Sequence, residues 1–211
     1  MTDRRSLFLT CSTAARSLAG SPEVAGAWDE PSALERWKVS GLTAHLARAT
    51  TSVEAYLDAD TAPEGDSISA ARYYELILDR DLDSELNVAV RARGDEMATE
   101  GLRPLLALWD GALARLAERL EYETASRKVR VYDDLVLRLD DYLVTRILEI
   151  IVHSDDVAAS TGAALPDFPT AAFDLVIGTL VDVGRLHHGD VAVVRALARR
   201  ERDEPNALRI L

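Results

Sequence analysis

The sequence has little cysteine, no long hydrophobic run and no excess of positive charge. A single cysteine, Cys11, excludes an internal disulfide and a cysteine-rich metal site, because both need at least two thiols. The 211-residue chain has 36 acidic and 24 basic residues and a formal net charge of −12. This charge argues against nucleic-acid binding and against docking on an anionic membrane, since both need a basic face. The apolar runs are too short for a membrane span or a secretory leader, so we expect a cytoplasmic protein.

The length favours one domain, and the low glycine and proline content with helical apolar spacing predicts a mainly α fold. Helices are predicted over about residues 3–18, 40–57, 83–122, 141–160, 170–187 and 191–201, with a shorter one carrying Tyr73. A break is expected near Gly101 and Pro104. Alternating apolar residues over 129–139 predict a small β-hairpin. In the helix after Pro104, the residues expected on one apolar face are Leu105, Leu108, Trp109, Leu113, Leu116 and Leu120.

The predicted helix 141–160 is apolar around most of its circumference, which is typical of a helix buried in the fold. Its polar residues nevertheless form one stripe, in which Thr145, Glu149 and His153 follow at intervals of four. Tyr142 and Arg146 lie beside that stripe. Buried charge is costly unless it is paired or coordinates a metal ion, so this stripe needs a partner.

Glu149 and His153 project into the same space from adjacent helical turns, as two ligands of one divalent ion would. His45 is the best third ligand, because it lies on the apolar face of a second long helix, whereas His187 and His188 lie at a predicted helix end. Three such ligands would leave a coordination position open, which is the catalytic pattern for zinc. Two alternatives remain open: Glu149 and His153 form an ordinary i,i+4 ion pair, and His45 is a core histidine.

Neighbouring residues suggest supporting roles. Asp156 is a candidate acceptor for an imidazole N–H of His153, or else a solvated charge near a helix end. Arg146 either holds a substrate carboxylate or pairs with an acidic residue of the chain. Cys11 is best interpreted as a small core residue.

Two segments resemble one known family. Residues 37–46, W-K-V-S-G-L-T-A-H-L, resemble its pattern W-x-V-x-x-L-x-x-H-L. Residues 141–158, D-Y-L-V-T-R-I-L-E-I-I-V-H-S-D-D-V-A, resemble D-Y-x-x-x-R-x-x-E-x-x-x-H-x-x-D-L-A. The family is that of the mycothiol-dependent maleylpyruvate isomerase N-terminal domain, within the DinB-like superfamily. Residues 188–201 resemble a tail common in short actinobacterial members.

The resemblance implies an up-down four-helix bundle over residues 1–165, a helical extension packed on it over 166–211, and a divalent metal ion, typically zinc. Position by position, the metal ligands fall on His45, Glu149 and His153. Mycothiol is the implied thiol cosubstrate, and Arg146 and Tyr142 are the candidates for contacting thiol or substrate. The expected partners are this thiol and a small electrophile, not nucleic acid or membrane, with a homodimer left open.

The implied function is a thiol-dependent transferase or isomerase, in which a metal-stabilised thiolate adds to an electrophilic carbon. The isomerase itself carries a second, sterol-carrier-like domain after the bundle. Only residues 161–211 follow the metal-site helix here, so we do not expect maleylpyruvate itself to be the substrate. Two alternatives stay open: a hydrolase that activates water at the same site, and a non-catalytic protein that binds or senses the metal.

Overall fold

The computed structural model describes residues 3–59, 64–78 and 81–199, together with residues 201 and 208. Within these ranges the chain forms a helical bundle with one two-stranded sheet, as predicted. The helices are α1 (Arg4–Ala19), α2 (Pro22–Gly26), α3 (Val39–Asp58), α4 (Ala70–Ile77), α5 (Glu85–Ala98), α6 (Leu102–Tyr122), α7 (Leu139–Thr161), α8 (Thr170–His188) and α9 (Asp190–Ala198). The strands β1 (Lys128–Arg130) and β2 (Val136–Arg138) lie between α6 and α7. Most of the tail that follows α9, part of the predicted extension 166–211, lies outside the described residues.

Four long helices, α1, α3, α6 and α7, pack together as the bundle. A buried polar chain joins three of them. The indole Nε1 of Trp109 on α6 donates a hydrogen bond to Ser12 Oγ on α1 (3.0 Å). Ser12 Oγ in turn hydrogen-bonds to Thr50 Oγ1 on α3. Because Trp109, Ser12 and Thr50 satisfy one another, this polar contact fixes the register of the three helices without leaving its own atoms unpaired.

Helix α5 lies against α3 where two glycines face each other. A Cβ atom on Gly94 would lie 2.7 Å from the carbonyl oxygen of Gly41, a distance that real Cβ atoms do not reach. The same Cβ would lie 3.1 Å from the Trp37 ring. This close approach therefore depends on glycine, and it holds Trp37 against the beginning of α3, the helix that carries His45.

The hairpin leads directly into α7. Val129 of β1 pairs with Leu137 of β2, and both side chains are buried against the bundle. Helix α7 begins at Leu139 and ends at Gly162, which has a φ of 75°. Glycine adopts this left-handed conformation without the cost that a Cβ atom imposes, so it ends the helix as the sequence predicted.

Two predicted details are wrong, and a third is confirmed. Leu108 was placed on the apolar face of α6, but this residue is 49% exposed, because the buried stripe of α6 is narrower than the apolar one. The break expected near Gly101 and Pro104 is present. The break lies at Gly101, with a φ of 92°, and Pro104 sits in the first turn of α6, where its missing N–H costs no helical hydrogen bond. The last helix ends at Ala198, since Arg199 is extended.

Helix α8 contributes its buried side chains to the same core, and it packs on α4 and α7. The residues of this region in the core cluster are Phe168, Ala172, Val176 and Val183. Among the described helices, none combines the length and the apolar character needed to span a membrane.

Candidate metal centre

Three side chains predicted as ligands meet between α3 and α7. Glu149 Oε2 lies 3.1 Å from Nε2 of His153, one turn further along α7. It also lies 3.7 Å from Nε2 of His45 on α3. One ligand atom of each residue lies within 4.8 Å of the other two. Two separate helices therefore place two imidazoles and one carboxylate around a common point.

Glu149 and His153 lie on the one polar stripe of α7, a helix that is otherwise largely buried. Leu148, Ile150 and Ile151, on the other faces of α7, pack in the core, which fixes the rotation of the helix about its axis. That rotation directs Glu149 and His153 towards α3. Their side chains remain 19% and 18% exposed, and so does that of His45 at 19%. Solvent therefore reaches the three side chains of the cluster.

Two of the three side chains, Glu149 and His153, form hydrogen bonds with residues outside the cluster. Asp156 Oδ2 lies 2.9 Å from Nδ1 of His153, the contact that the sequence predicted. The buried hydroxyl of Tyr74 lies 2.8 Å from Glu149 Oε1, to which it donates, and 3.0 Å from the carbonyl oxygen of Thr145. In metal sites such partners fix the orientation of the ligands. Each supporting contact leaves the facing atoms, His153 Nε2 and Glu149 Oε2, directed at the common point.

Sequence reasoning missed Tyr74. It lies on α4, 75 positions before Glu149, and its apolar neighbours make it look like an ordinary core residue. The spacing of residues along one helix cannot predict a contact with a residue of another helix, such as that between Tyr74 and Glu149. Trp37 was also missed as part of the site: its ring centroid lies 5.2 Å from that of His45.

The electrostatics of the cluster distinguish its two histidines. Burial lowers the pKa of His45 below the ordinary histidine value, so this imidazole is neutral at pH 7. Burial alone would lower the pKa of His153 too, but hydrogen bonds with Asp156 and Glu149 raise it to about 9. Burial also acts to raise the pKa of Glu149, yet its contacts with the two histidines hold it well below the usual carboxyl range. His153 lies between the carboxylates of Asp156 and Glu149, and these negative charges favour its protonated form.

The spacing of the three side chains fits a divalent metal ion. An ion with bonds of about 2.0–2.1 Å in tetrahedral geometry separates neighbouring ligand atoms by roughly 3.3 Å. The two measured distances, 3.1 and 3.7 Å, bracket that value. His45 Nδ1 is buried and has no hydrogen-bond partner, so the polar contact of this ring within the described residues is the one between Nε2 and Glu149. An ordinary i,i+4 ion pair between Glu149 and His153 would not require His45 at all.

Arg146 and Tyr142, the two candidates for contacting thiol or substrate, lie one and two turns before Glu149. The guanidinium carbon of Arg146 lies 5.0 Å from the centre of the Tyr142 ring, and its Nε donates to Thr145 Oγ1 (3.0 Å). Tyr142 is buried, and its hydroxyl hydrogen-bonds to Ser52 on α3 (3.2 Å). Arg146 forms no ion pair with a carboxylate of the described residues. The ring of Tyr142 therefore contacts Arg146, and its hydroxyl is bonded to Ser52 rather than to a residue of the cluster.

Removing the phenol oxygen of Tyr74 tests the supporting contact. We expect Tyr74→Phe to weaken divalent metal binding by about 10–100-fold, because Glu149 loses the donor that orients it. Isothermal titration with zinc measures this change. Tyr73→Phe is the matched control, since Tyr73 is a buried neighbour on α4 with no hydrogen bond to the cluster. Equal zinc affinity of wild type and Tyr74→Phe would show that this contact does not serve the metal site.

Comparisons with known proteins bear on the family and the fold of the chain. A sequence profile described as Mycothiol maleylpyruvate isomerase N-terminal domain matches residues 8–158, which include all three clustered residues. The crystal structure of the mycothiol-dependent maleylpyruvate isomerase is similar, with a TM-score of 0.50 and 20% sequence identity. The alignment covers 86% of this chain and 71% of that chain, and at this identity it supports the fold alone. A search of curated protein sequences finds no match.

Proposed function

Because this chain belongs to the family of the mycothiol maleylpyruvate isomerase N-terminal domain, we propose that it is a metal-dependent enzyme that uses mycothiol as a cosubstrate. The ligands are His45, Glu149 and His153, and the metal ion is zinc. The reaction is transfer of the thiol to a small electrophile, or isomerisation of that electrophile through reversible addition. The observation that carries this proposal is the meeting of the three side chains from two helices, with separate partners behind Glu149 and His153.

The donor set favours zinc. Two imidazole nitrogens and one carboxylate oxygen are the ligands of catalytic zinc sites, which keep a fourth position for water or substrate. The partial exposure of all three side chains supports access to that position. When bound there, zinc would lower the pKa of an entering thiol so that the thiolate forms at neutral pH.

The chain's own thiol does not suit this role. Cys11 on α1 is fully buried, and burial raises the pKa of its thiol to about 12. A nucleophilic cysteine needs exposure and a lowered pKa. The sulfur nucleophile must therefore come from a small molecule, which agrees with a family named for mycothiol.

The protein residues have separate tasks in such a reaction. Glu149 and the neutral His45 provide negative charge and a lone pair towards the common point, and Asp156 and Tyr74 hold the ligands in orientation. The thiol sulfur adds to an electrophilic carbon of the substrate, and its proton leaves to solvent. In a transferase the new carbon–sulfur bond remains, and the adduct accepts a proton. In an isomerase the bond breaks after rotation about the former double bond, which returns the thiol.

Thermal unfolding with thiol ligands tests mycothiol use. At ten times its dissociation constant, mycothiol should stabilise the zinc-loaded protein by about 1.4 kcal/mol, which raises the melting temperature by about 3–6 °C. S-methyl mycothiol, which cannot provide a thiolate, is the matched control ligand and should have a much smaller effect. Dithiothreitol controls for a generic thiol.

Three outcomes would count against this proposal. An equal shift with S-methyl mycothiol would show that the sulfur does not enter the site. No mycothiol effect, together with zinc-dependent hydrolysis of activated esters, would favour the hydrolase, in which water takes the open position. No catalysis of either kind despite stoichiometric zinc would favour a metal-binding or sensing protein.

A further inference from the structure

Two arginines, one on α3 and one on α7, lie about one turn away from the ligand cluster. Arg48 follows His45 by three residues on α3, and Arg146 precedes Glu149 by three residues on α7. The helices run antiparallel here, since His45 meets Glu149 and, further along, Ser52 meets Tyr142. Arg48 and Arg146 therefore lie at the same level of the bundle, about 4.5 Å along the helix axes from the cluster.

Neither arginine forms an ion pair with a carboxylate of the described residues. Other arginines on these surfaces do, for example Arg115 with Glu54 and Arg185 with Asp190. The contacts of Arg146 are the Tyr142 ring and Thr145, both uncharged. Arg48 makes no ion pair and no side-chain hydrogen bond in the described part of the chain. Both side chains are only half-buried, so a small molecule can reach them.

The charge of Arg48 is unfavourable in the protein alone. Burial lowers the pKa of Arg48, and the positive charges of Arg93 and Arg146 lower it further. The negative charge of Glu149 helps to raise the pKa of Arg146, whereas no carboxylate of the described residues acts on Arg48 in this way, so the repulsion at Arg48 is not offset. A planar carboxylate matches the paired N–H donors of a guanidinium, which makes it the natural counterion.

We propose that Arg48 and Arg146 form a carboxylate-binding subsite beside the ligand cluster. The bound molecule is a small carboxylic acid, which acts as the electrophile when its reactive carbon reaches the neighbouring cluster. Tyr142 supports the subsite by holding Arg146 against its ring. The identification of this acid as the electrophile rests on the proposed function, whereas anion binding by the two arginines does not.

A matched pair of ligands tests the subsite: propionate and its neutral counterpart propionamide. The full-length protein is treated with a chelator, so that carboxylate cannot bind a metal ion, and ionic strength is kept constant with chloride. At ten times its dissociation constant, propionate should raise the melting temperature by about 3–6 °C, and propionamide should not. Arg48→Met and Arg146→Met should each abolish this rise. Arg103→Met, at an exposed arginine on α6, should keep it.

Stability without ligand separates a binding role from a structural one. If Arg48 serves only the ligand, Arg48→Met should melt at or above the wild-type temperature, because a repelled, partly buried charge has been removed. A structural arginine would lower the melting temperature when replaced.

Three results would overturn the subsite: no rise with propionate, an equal rise with propionamide, or an unchanged rise in both arginine variants. An equal rise with inorganic phosphate would overturn the assignment to carboxylates. The His153→Ala variant separates this proposal from the metal site, because it should lose zinc and keep the propionate effect. A failure to bind zinc or mycothiol would therefore not contradict the carboxylate subsite. A failure to bind propionate would likewise not contradict the metal site.

Discussion

Replacing His153 with alanine is expected to abolish stoichiometric binding of a divalent metal ion. Apparent zinc-binding free energies of about 10–16 kcal/mol, shared among four ligands, give roughly 3–4 kcal/mol per ligand, or about 10²–10³-fold in affinity. His153 also holds the hydrogen bond between the cluster and Asp156, so its loss removes one ligand and one support together. Isothermal titration with zinc and metal analysis of the purified protein measure the effect.

The control for this variant is His187→Ala. His187 is exposed near the end of α8 and takes no part in the cluster, so its replacement should leave zinc affinity unchanged. Circular dichroism should show the same helical content in both variants, because His153 contributes little to the core. Equal zinc content in wild type and His153→Ala would mean that metal, if bound, binds elsewhere.

Replacing Trp109 with alanine is expected to destabilise the bundle by about 3–5 kcal/mol. Its indole is completely buried, and its Nε1 donates to Ser12, which links α6 to α1 and, through Thr50, to α3. The variant loses the buried ring and leaves a hydroxyl pair without its donor. Since domains of this kind are stable by only about 5–15 kcal/mol, much of the free energy of unfolding would be lost.

Urea denaturation measures this loss, and Leu108→Ala provides the control. Leu108 adjoins Trp109 on α6 but is half exposed. Its replacement should cost well under 1 kcal/mol, since surface substitutions usually change stability by about 0.5 kcal/mol or less. A similar cost at both positions would contradict the assignment of the buried face of α6.

The sequence predicted what depends on local spacing. Glu149 and His153 could be recognised because they are four residues apart on a helix that is otherwise apolar, and a buried charge needs a reason. Gly162 could be recognised because a glycine after a helical pattern commonly ends it. His45 could be singled out by its place on an apolar face, but its meeting with α7 depends on how the two helices pack.

What escaped the sequence depends on contacts between distant segments. Tyr74 reaches Glu149 only because α4 packs on α7, and nothing near Tyr74 in the sequence carries that information. Arg48 looks like a solvated residue until α3 and α7 bring it level with Arg146. Leu108 was predicted on the apolar face of α6 but is half exposed. Apolar spacing shows which side of a helix faces the core, but not how much of that side the neighbouring helices cover.

We propose above all that His45, Glu149 and His153 bind a single divalent metal ion. Anomalous diffraction at the zinc absorption edge, from crystals of the zinc-loaded protein, locates that ion directly. We predict one strong peak between α3 and α7, about 2.0–2.2 Å from an imidazole nitrogen of each histidine and from an oxygen of Glu149. The absence of a peak at this position, or full occupancy only at another site, would contradict the claim.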